Sequence, residues 1–240
     1  MSLELLGEGF DLHCGGADLR FPHHENERAQ AVALGKTFAN HWMHNGFVVD
    51  VEGEKMSKSL GNVANLLDLL DQYDARAYRL LLLQTHYRSP VRVGLDTLEA
   101  AVASLAGLDA FAARTSSHGG GDPDADVLGA FRTAMDNDLD TVAAMALVFD
   151  AVRAANTAAD AGDTARVASL RAAALEMMRA VGLDVHEGDD VDAETLEKAA
   201  ALDAARASRD FATADRLRAE LQDAGWTVET TKEGTRVRRG

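Results

Sequence analysis

The sequence predicts an α/β unit, then a mainly α-helical bundle, then a small mixed α/β unit that closes the chain. Three observations carry this reading. Up to Arg88, short apolar strands bounded by glycines alternate with helical segments. From Gly94 to about Gly182, Ala and Leu recur at helical spacing, broken at "SSHGGGDPDAD" and "DAGD". Beyond the polar, acidic stretch "VHEGDDVDAET", a helical pair ends at Gly225 and two strand-like segments follow, "WTVET" and "TRVRR".

Taken in order, "FDLH" at 10–13 reads as a strand end running into a flexible loop, "CGGADLRFP". From Pro22, "HHENERAQAVAL" has helical character and stops at Gly35, a residue suited to the left-handed turn after a helix. "HWMHNGFVVDVEGE" predicts a β-hairpin: an Asn45-Gly46 turn, a strand over 47–51, and a second turn at Gly53. The loop Lys55–Asn62 leads to "VANLLDLLDQYDARAYRLLLLQTHY", helical in period with a break near Tyr73-Asp74. "RSPVRV" reads as a connector, because Pro90 disfavours helix in the residue before it.

Composition narrows the function classes. The chain has 240 residues and a formal charge of −15, with 47% hydrophobic residues, enough for real cores. Net acidity argues against broad nucleic-acid binding and leaves room for a local basic stripe. The one cysteine, Cys14, excludes an internal disulfide and fits a reducing cytoplasm. No secretory pattern opens the chain, and no apolar run approaches the roughly 20 residues of a membrane span.

Three stretches carry chemistry. In "FPHHENE", His23 and Glu27 stand four apart and share a helix face, with His24 and Glu25 expected to point elsewhere. The pair suits a surface ion pair or part of a metal site, and two ligands do not complete tetrahedral zinc. In "GFDLHCGGADL", His13 precedes two glycines that admit close backbone approach, by a ligand or within an ordinary turn. "KMSKS" is the strongest signal: Lys55 and Lys58 bring two compact charges to one loop, with Ser57 and Ser59 as added donors around Met56. Such cations stabilise charge developing on a transferring phosphate.

Four blocks in order, "FDLHCGGADLRFPHHENERAQ", "WMHNGFVVDVEGEKMSKSLGN", "YDARAYRLLLLQTHYRSPV" and the tail from "ARASRDFATADRLRAEL", resemble cysteinyl-tRNA synthetase, a class I aminoacyl-tRNA synthetase. The resemblance runs through essentially the whole chain. It implies a Rossmann-like catalytic remnant over 1–40 and a KMSKS loop and stem-contact region over 41–90. A helical anticodon-binding bundle is implied over 91–184, and a small C-terminal α/β tRNA-binding domain over 185–240. His23 and Glu27 match zinc ligands of the family, where the metal takes the substrate thiolate and so rejects serine. His13 matches a histidine of the cysteine pocket and Asp18 an acidic residue near it. Lys55, Met56, Ser57, Lys58 and Ser59 match the loop that closes over ATP, used with Mg2+, during attack of the cysteine carboxylate on the α-phosphate. The implied partner is the tRNA for cysteine, and the implied setting is cytoplasmic.

The chain departs from the family pattern in two ways. Cys14 stands where glycine is usual. No HIGH-type ATP motif or further zinc cysteine is present, so the expectation is a C-terminal half whose remaining zinc ligands lie elsewhere and which does not charge tRNA alone. A mycothiol-type cysteine ligase and a free-standing, non-catalytic tRNA-binding module are the alternatives.

Overall fold

The computed structural model describes residues 1–50, 52–53, 66–186, 193–208, 210–231 and 234–239. The segment Lys55, Met56, Ser57, Lys58 and Ser59 lies outside the described residues. Two compact units are present, residues 1–185 and 186–240.

The first unit opens with a short helix, α1 (Ser2–Leu6), and then β1 (Phe10–Gly16). A 3-10 turn at Ala17–Leu19 and a wider π-type turn at Arg20–His24 lead into α2 (Glu25–Ala33). Gly35, at φ +71°, takes the left-handed turn after this helix, and β2 (Ala39–Asn45) returns beside β1. The two strands run parallel, in register from Phe10↔Ala39 to Gly16↔Asn45, so β1, α2 and β2 form a crossover unit.

Three expectations change here. The expected loop at Cys14–Gly16 belongs to β1, which places His13 within the strand and not at its end. Its glycines make room for side chains of the chain itself: a Cβ on Gly15 would meet the His24 ring at 2.7 Å, and one on Gly16 would meet Asp18 Oδ1 at 2.6 Å. The Asn45-Gly46 hairpin does not form. Instead β3 (Val48–Val49) pairs in parallel with β4 (Val91–Arg92), part of the stretch read as a connector. Gly46 serves close approach: its N–H donates to the Tyr87 carbonyl at 2.7 Å, and a Cβ there would stand 2.2 Å from the Ser89 carbonyl oxygen. A local turn signal cannot register a partner so distant in sequence.

The helical region follows as α3 (Leu66–Leu70), α4 (Ala75–Leu83), α5 (Leu95–Arg114), α6 (Ala125–Asp136), α7 (Thr141–Asp160) and α8 (Thr164–Ala180). The predicted break at Asp74 is a helix start, since its carboxylate accepts from the Arg76 N–H. Asp124, Asp140 and Asp163 cap α6, α7 and α8 in the same way. These aspartates therefore satisfy orphan N–H groups at positive helix ends. The core is apolar and continuous. On α5, Leu98, Ala101, Leu105, Leu108 and Ala112 repeat at three- and four-residue steps. Leu98, Ala101, Leu105 and Leu108 join a core that includes Leu80 of α4, Phe131 of α6, Val148 of α7 and Met177 of α8.

One break escaped the sequence reading: α6 and α7 are separated at 137–140 with no glycine or proline, and Asp138 and Leu139 instead take φ +58° and +54°. One expectation also needs amending. Helix α7 is long and apolar enough by composition to cross a membrane. Its face carrying Ala144, Met145, Val148, Ala151, Val152 and Ala155 is buried within the bundle core.

The second unit contains α9 (Ala193–Ala207), α10 (Phe211–Asp223) and the antiparallel pair β5 (Trp226–Thr231) and β6 (Gly234–Arg239), the helical pair and strand pair expected. Leu202, Leu217, Leu221, Trp226, Val228 and Val237 form its core. Asp210 caps α10.

Candidate functional site

The site forms where β1, β2 and the start of α2 converge. In the parallel register His13 faces Trp42 across the strand pair, and Gly15 faces His44. The π-type turn then brings His24 over the glycines. Phe21 within this turn has extended geometry (φ −142°, ψ 134°), so a regular step of 100° per residue does not hold before Glu25. For that reason His24, expected to point away, turns inward and is 4% exposed, whereas the His23 side chain is 59% exposed.

His13, His24 and Glu27 each offer one ligand atom within 4.8 Å of the others. His13 Nε2 lies 2.8 Å from Glu27 Oε2, and His23 Nε2 lies 3.8 Å from the same oxygen. His24 Nδ1 is 2.9 Å from His44 Nε2, which leaves His24 Nε2 for the cluster. The rings of Phe38 and Trp42 pack around His13 at centroid distances of 5.2 and 5.0 Å. Burial lowers the His24 pKa, reinforced by His13 and His44 and opposed by Glu27. A neutral imidazole with its lone pair available is the form that binds metal.

Two further residues complete the inventory. Asp18 lies exposed in the 3-10 turn, outside the His13–His24–Glu27 group. Cys14 is exposed and free, and is likewise no member of that group. Sequence reasoning missed His24 and His44. An imidazole pair on sequence-distant elements leaves no periodic signal, although "WMHNG" does place a histidine two residues after an aromatic one, the spacing of one strand face.

Known proteins bear on this arrangement. Residues 1–103 match the family described as tRNA synthetases class I (C) catalytic domain, and residues 130–185 match the DALR domain, the two together spanning more than half of the chain. The chain is 43% identical to the cysteine–tRNA ligase of Halorhodospira halophila across 100% of its own length and 54% of that protein. It is 44% identical to the cysteine–tRNA ligase of Micrococcus luteus across 98% of itself and 51% of that protein. The chain belongs to the cysteinyl-tRNA synthetase family. It spans about half the length of these curated relatives.

Among solved structures, two synthetases share the fold. LeuRS of Agrobacterium radiobacter K84, in a ternary complex with tRNA and LeuAMS, superposes with a TM-score of 0.58 at 18% identity, covering 74% of this chain and 28% of that one. Methionyl-tRNA synthetase of Mycobacterium tuberculosis with methionyl-adenylate gives 0.51 at 20% identity, over 72% and 40%. At such identity the likeness concerns fold alone.

Proposed function

We propose that this chain is the part of a cysteine–tRNA ligase that holds the amino-acid side of the active site and the RNA-reading helical bundle. The observation that supports it most is the placing of the His13–His24–Glu27 cluster on a parallel crossover unit, followed in the chain by the helical domain that matches DALR. Identity to named cysteine–tRNA ligases runs through the C-terminal unit, which favours this reading over a mycothiol-type ligase or a free-standing tRNA-binding module.

The donor set fits zinc, which accepts imidazole nitrogen and carboxylate oxygen in tetrahedral sites and leaves a position open for substrate. His13, His24 and Glu27 would hold it, with His23 four residues before Glu27 as the further donor that the family pattern favours. Bound there, zinc supplies a Lewis acid that favours a soft thiolate over a hydroxyl. The protein's own contribution is orientation. His44 fixes which nitrogen of His24 faces the cluster, and Phe38 and Trp42 shield His13 from water. Lys55 and Lys58, with Met56, Ser57 and Ser59, serve the ATP phosphates in this reading, and Asp18 stays near the amino-acid pocket. ATP with Mg2+, cysteine and the cysteine tRNA are the substrates, and the cytoplasm is the setting.

The purified chain is expected to bind the tRNA for cysteine in preference to a non-cognate tRNA, measured by filter binding in physiological salt. Equal affinity for both would overturn the reading. Cysteine-dependent ATP–pyrophosphate exchange is expected to be absent from this chain on its own.

A further inference from the structure

Beside the histidine cluster lies a cleft of about 460 Å³ that shares His24 as a wall. On a chain of net charge −15, Arg20, Arg28 and Arg88 all line it, together with Trp42, His44 and a single carboxylate, Glu25, among the described residues. Their guanidiniums come from three separate elements: the π-type turn, helix α2, and the loop before β4. Arg20 makes no ion pair or hydrogen bond among the described residues. Arg28 Nη1 stands 3.9 Å from Glu25 Oε2, an ion-pair distance and too long for a hydrogen bond.

Arg88 is held differently. Its Nε and Nη2 donate to Asp138 Oδ2 and Oδ1 at 2.6 and 2.9 Å, and the Tyr87 hydroxyl donates to Oδ1 at 2.7 Å. The second Nη group makes no hydrogen bond among the described residues. Asp138 sits in the α6–α7 turn at φ +58°, next to Leu139 at +54°. Two consecutive non-glycine residues in this region cost free energy, and such strain is retained where the surroundings demand that geometry. Arginine pinned along one edge by a carboxylate keeps its other edge preorganised for an oxyanion.

We propose that Arg20, Arg28 and Arg88 form a phosphate site for the acceptor end of the RNA substrate, with Asp138 as the positioning residue for Arg88. This rests on the cysteine–tRNA ligase reading and deepens it. Aminoacyl transfer requires the terminal ribose of the RNA to reach the activated amino acid, and the cleft shares a wall with the cluster assigned to that amino acid. Guanidiniums on separate elements suit successive phosphodiesters, while Trp42 offers a face on which a base can stack. A nucleoside triphosphate presents the same chemistry, so the test distinguishes the two sources.

The test is fluorescence anisotropy of the 240-residue chain with a labelled single-stranded RNA carrying the 3′-terminal sequence of the cysteine tRNA, titrated at several salt concentrations. The double variant R20A/R28A is expected to weaken binding about tenfold, as loss of hydrogen bonds to charged groups does. The slope of log K against log salt should become shallower by about 0.7 for each phosphate that is no longer neutralised. Asp138→Asn should weaken binding in the same direction, and Arg88→Lys should not preserve it, because an ammonium lacks the second edge. ATP and pyrophosphate should fail to displace the RNA at matching concentrations. Unchanged affinity and slope in R20A/R28A would overturn the site, and displacement by ATP at equal affinity would reassign it to a nucleotide. Intact cysteine tRNA is titrated in parallel. If it binds while the double variant leaves the short RNA unaffected, this site fails and the ligase reading stands. If neither RNA binds, both fail.

Discussion

Residues 1–50 and the helical bundle bury their side chains in different ways. In the bundle, Leu80, Leu98, Leu108, Val148, Leu170 and Met177 are each no more than 1% exposed, and all are apolar. Among residues 1–50 the buried residues are His24, Ala31 and Phe38, while Leu5, Leu12, Phe21 and Leu34 are at least half exposed. The contrast separates stability from chemistry. A continuous apolar core gives the bundle its cohesion. The crossover unit spends its little interior on imidazole and aromatic rings, which pack less cohesively and can bind.

The largest effect should come from cutting into that core. Leu108→Ala is expected to cost about 3 kcal/mol, as cavities at fully buried leucines do, and to lower the denaturant midpoint of the bundle. Phe38→Ala should leave that midpoint in place while it disturbs Trp42 fluorescence. A common loss in both variants would mean that the two regions of the unit 1–185 unfold in one transition.

Next in size is Gly46→Ala, where a Cβ would stand 2.2 Å from the Ser89 carbonyl oxygen. Overpacking against backbone costs roughly 1–3 kcal/mol. Hydrogen exchange should quicken at the Gly46 and Val91 amides, both bonded across this junction, with the bundle unaffected. Unaltered exchange there would show that the junction yields without cost.

The third test uses acid. The guanidinium of Arg88 and then the Tyr87 hydroxyl lower the Asp138 pKa to about 2, from an ordinary value of 3.8. A carboxylate depressed in the fold contributes stability that is complete above its ordinary pKa and lost as pH falls through the folded one. Wild type should therefore lose stability more steeply than Asp138→Asn between pH 4 and pH 2, as read from urea midpoints. Parallel slopes would mean that the clamp contributes nothing to folding. The smallest effect is expected at the exposed pair Arg114–Asp160, spaced 2.5 Å apart. Arg114→Ala should cost less than about 1 kcal/mol, and a larger loss would show that the Nη1 bond to Asn156 acts with it.

How far the sequence could be read follows the same division. The helices of the bundle declare themselves, since Leu98, Ala101, Leu105 and Leu108 keep a period set by local geometry. Asp74, Asp163 and the glycine-rich loop before Asp124 mark ends for equally local reasons. The α6–α7 turn was invisible because Asp138 and Leu139 adopt left-handed geometry with no glycine to mark it, held in part by Arg88 from a distant loop. In the site, His13, His23 and Glu27 stood out by residue type and spacing. Which of the adjacent histidines turns inward depended on the non-helical Phe21 before them.

The sequence alone determined the order of units and the helical periods, because each rests on residue type at fixed local spacing, and its resemblance to known proteins pointed to a synthetase family. Tertiary structure alone decided that β1 and β2 pair in parallel, that β3 seeks β4 instead of a hairpin partner, and that His24 joins His13 and Glu27. It also set three arginines around one cleft of an acidic protein. These are contacts between residues far apart in the chain, and their free energies depend on burial and close approach, which exist only once the chain has folded.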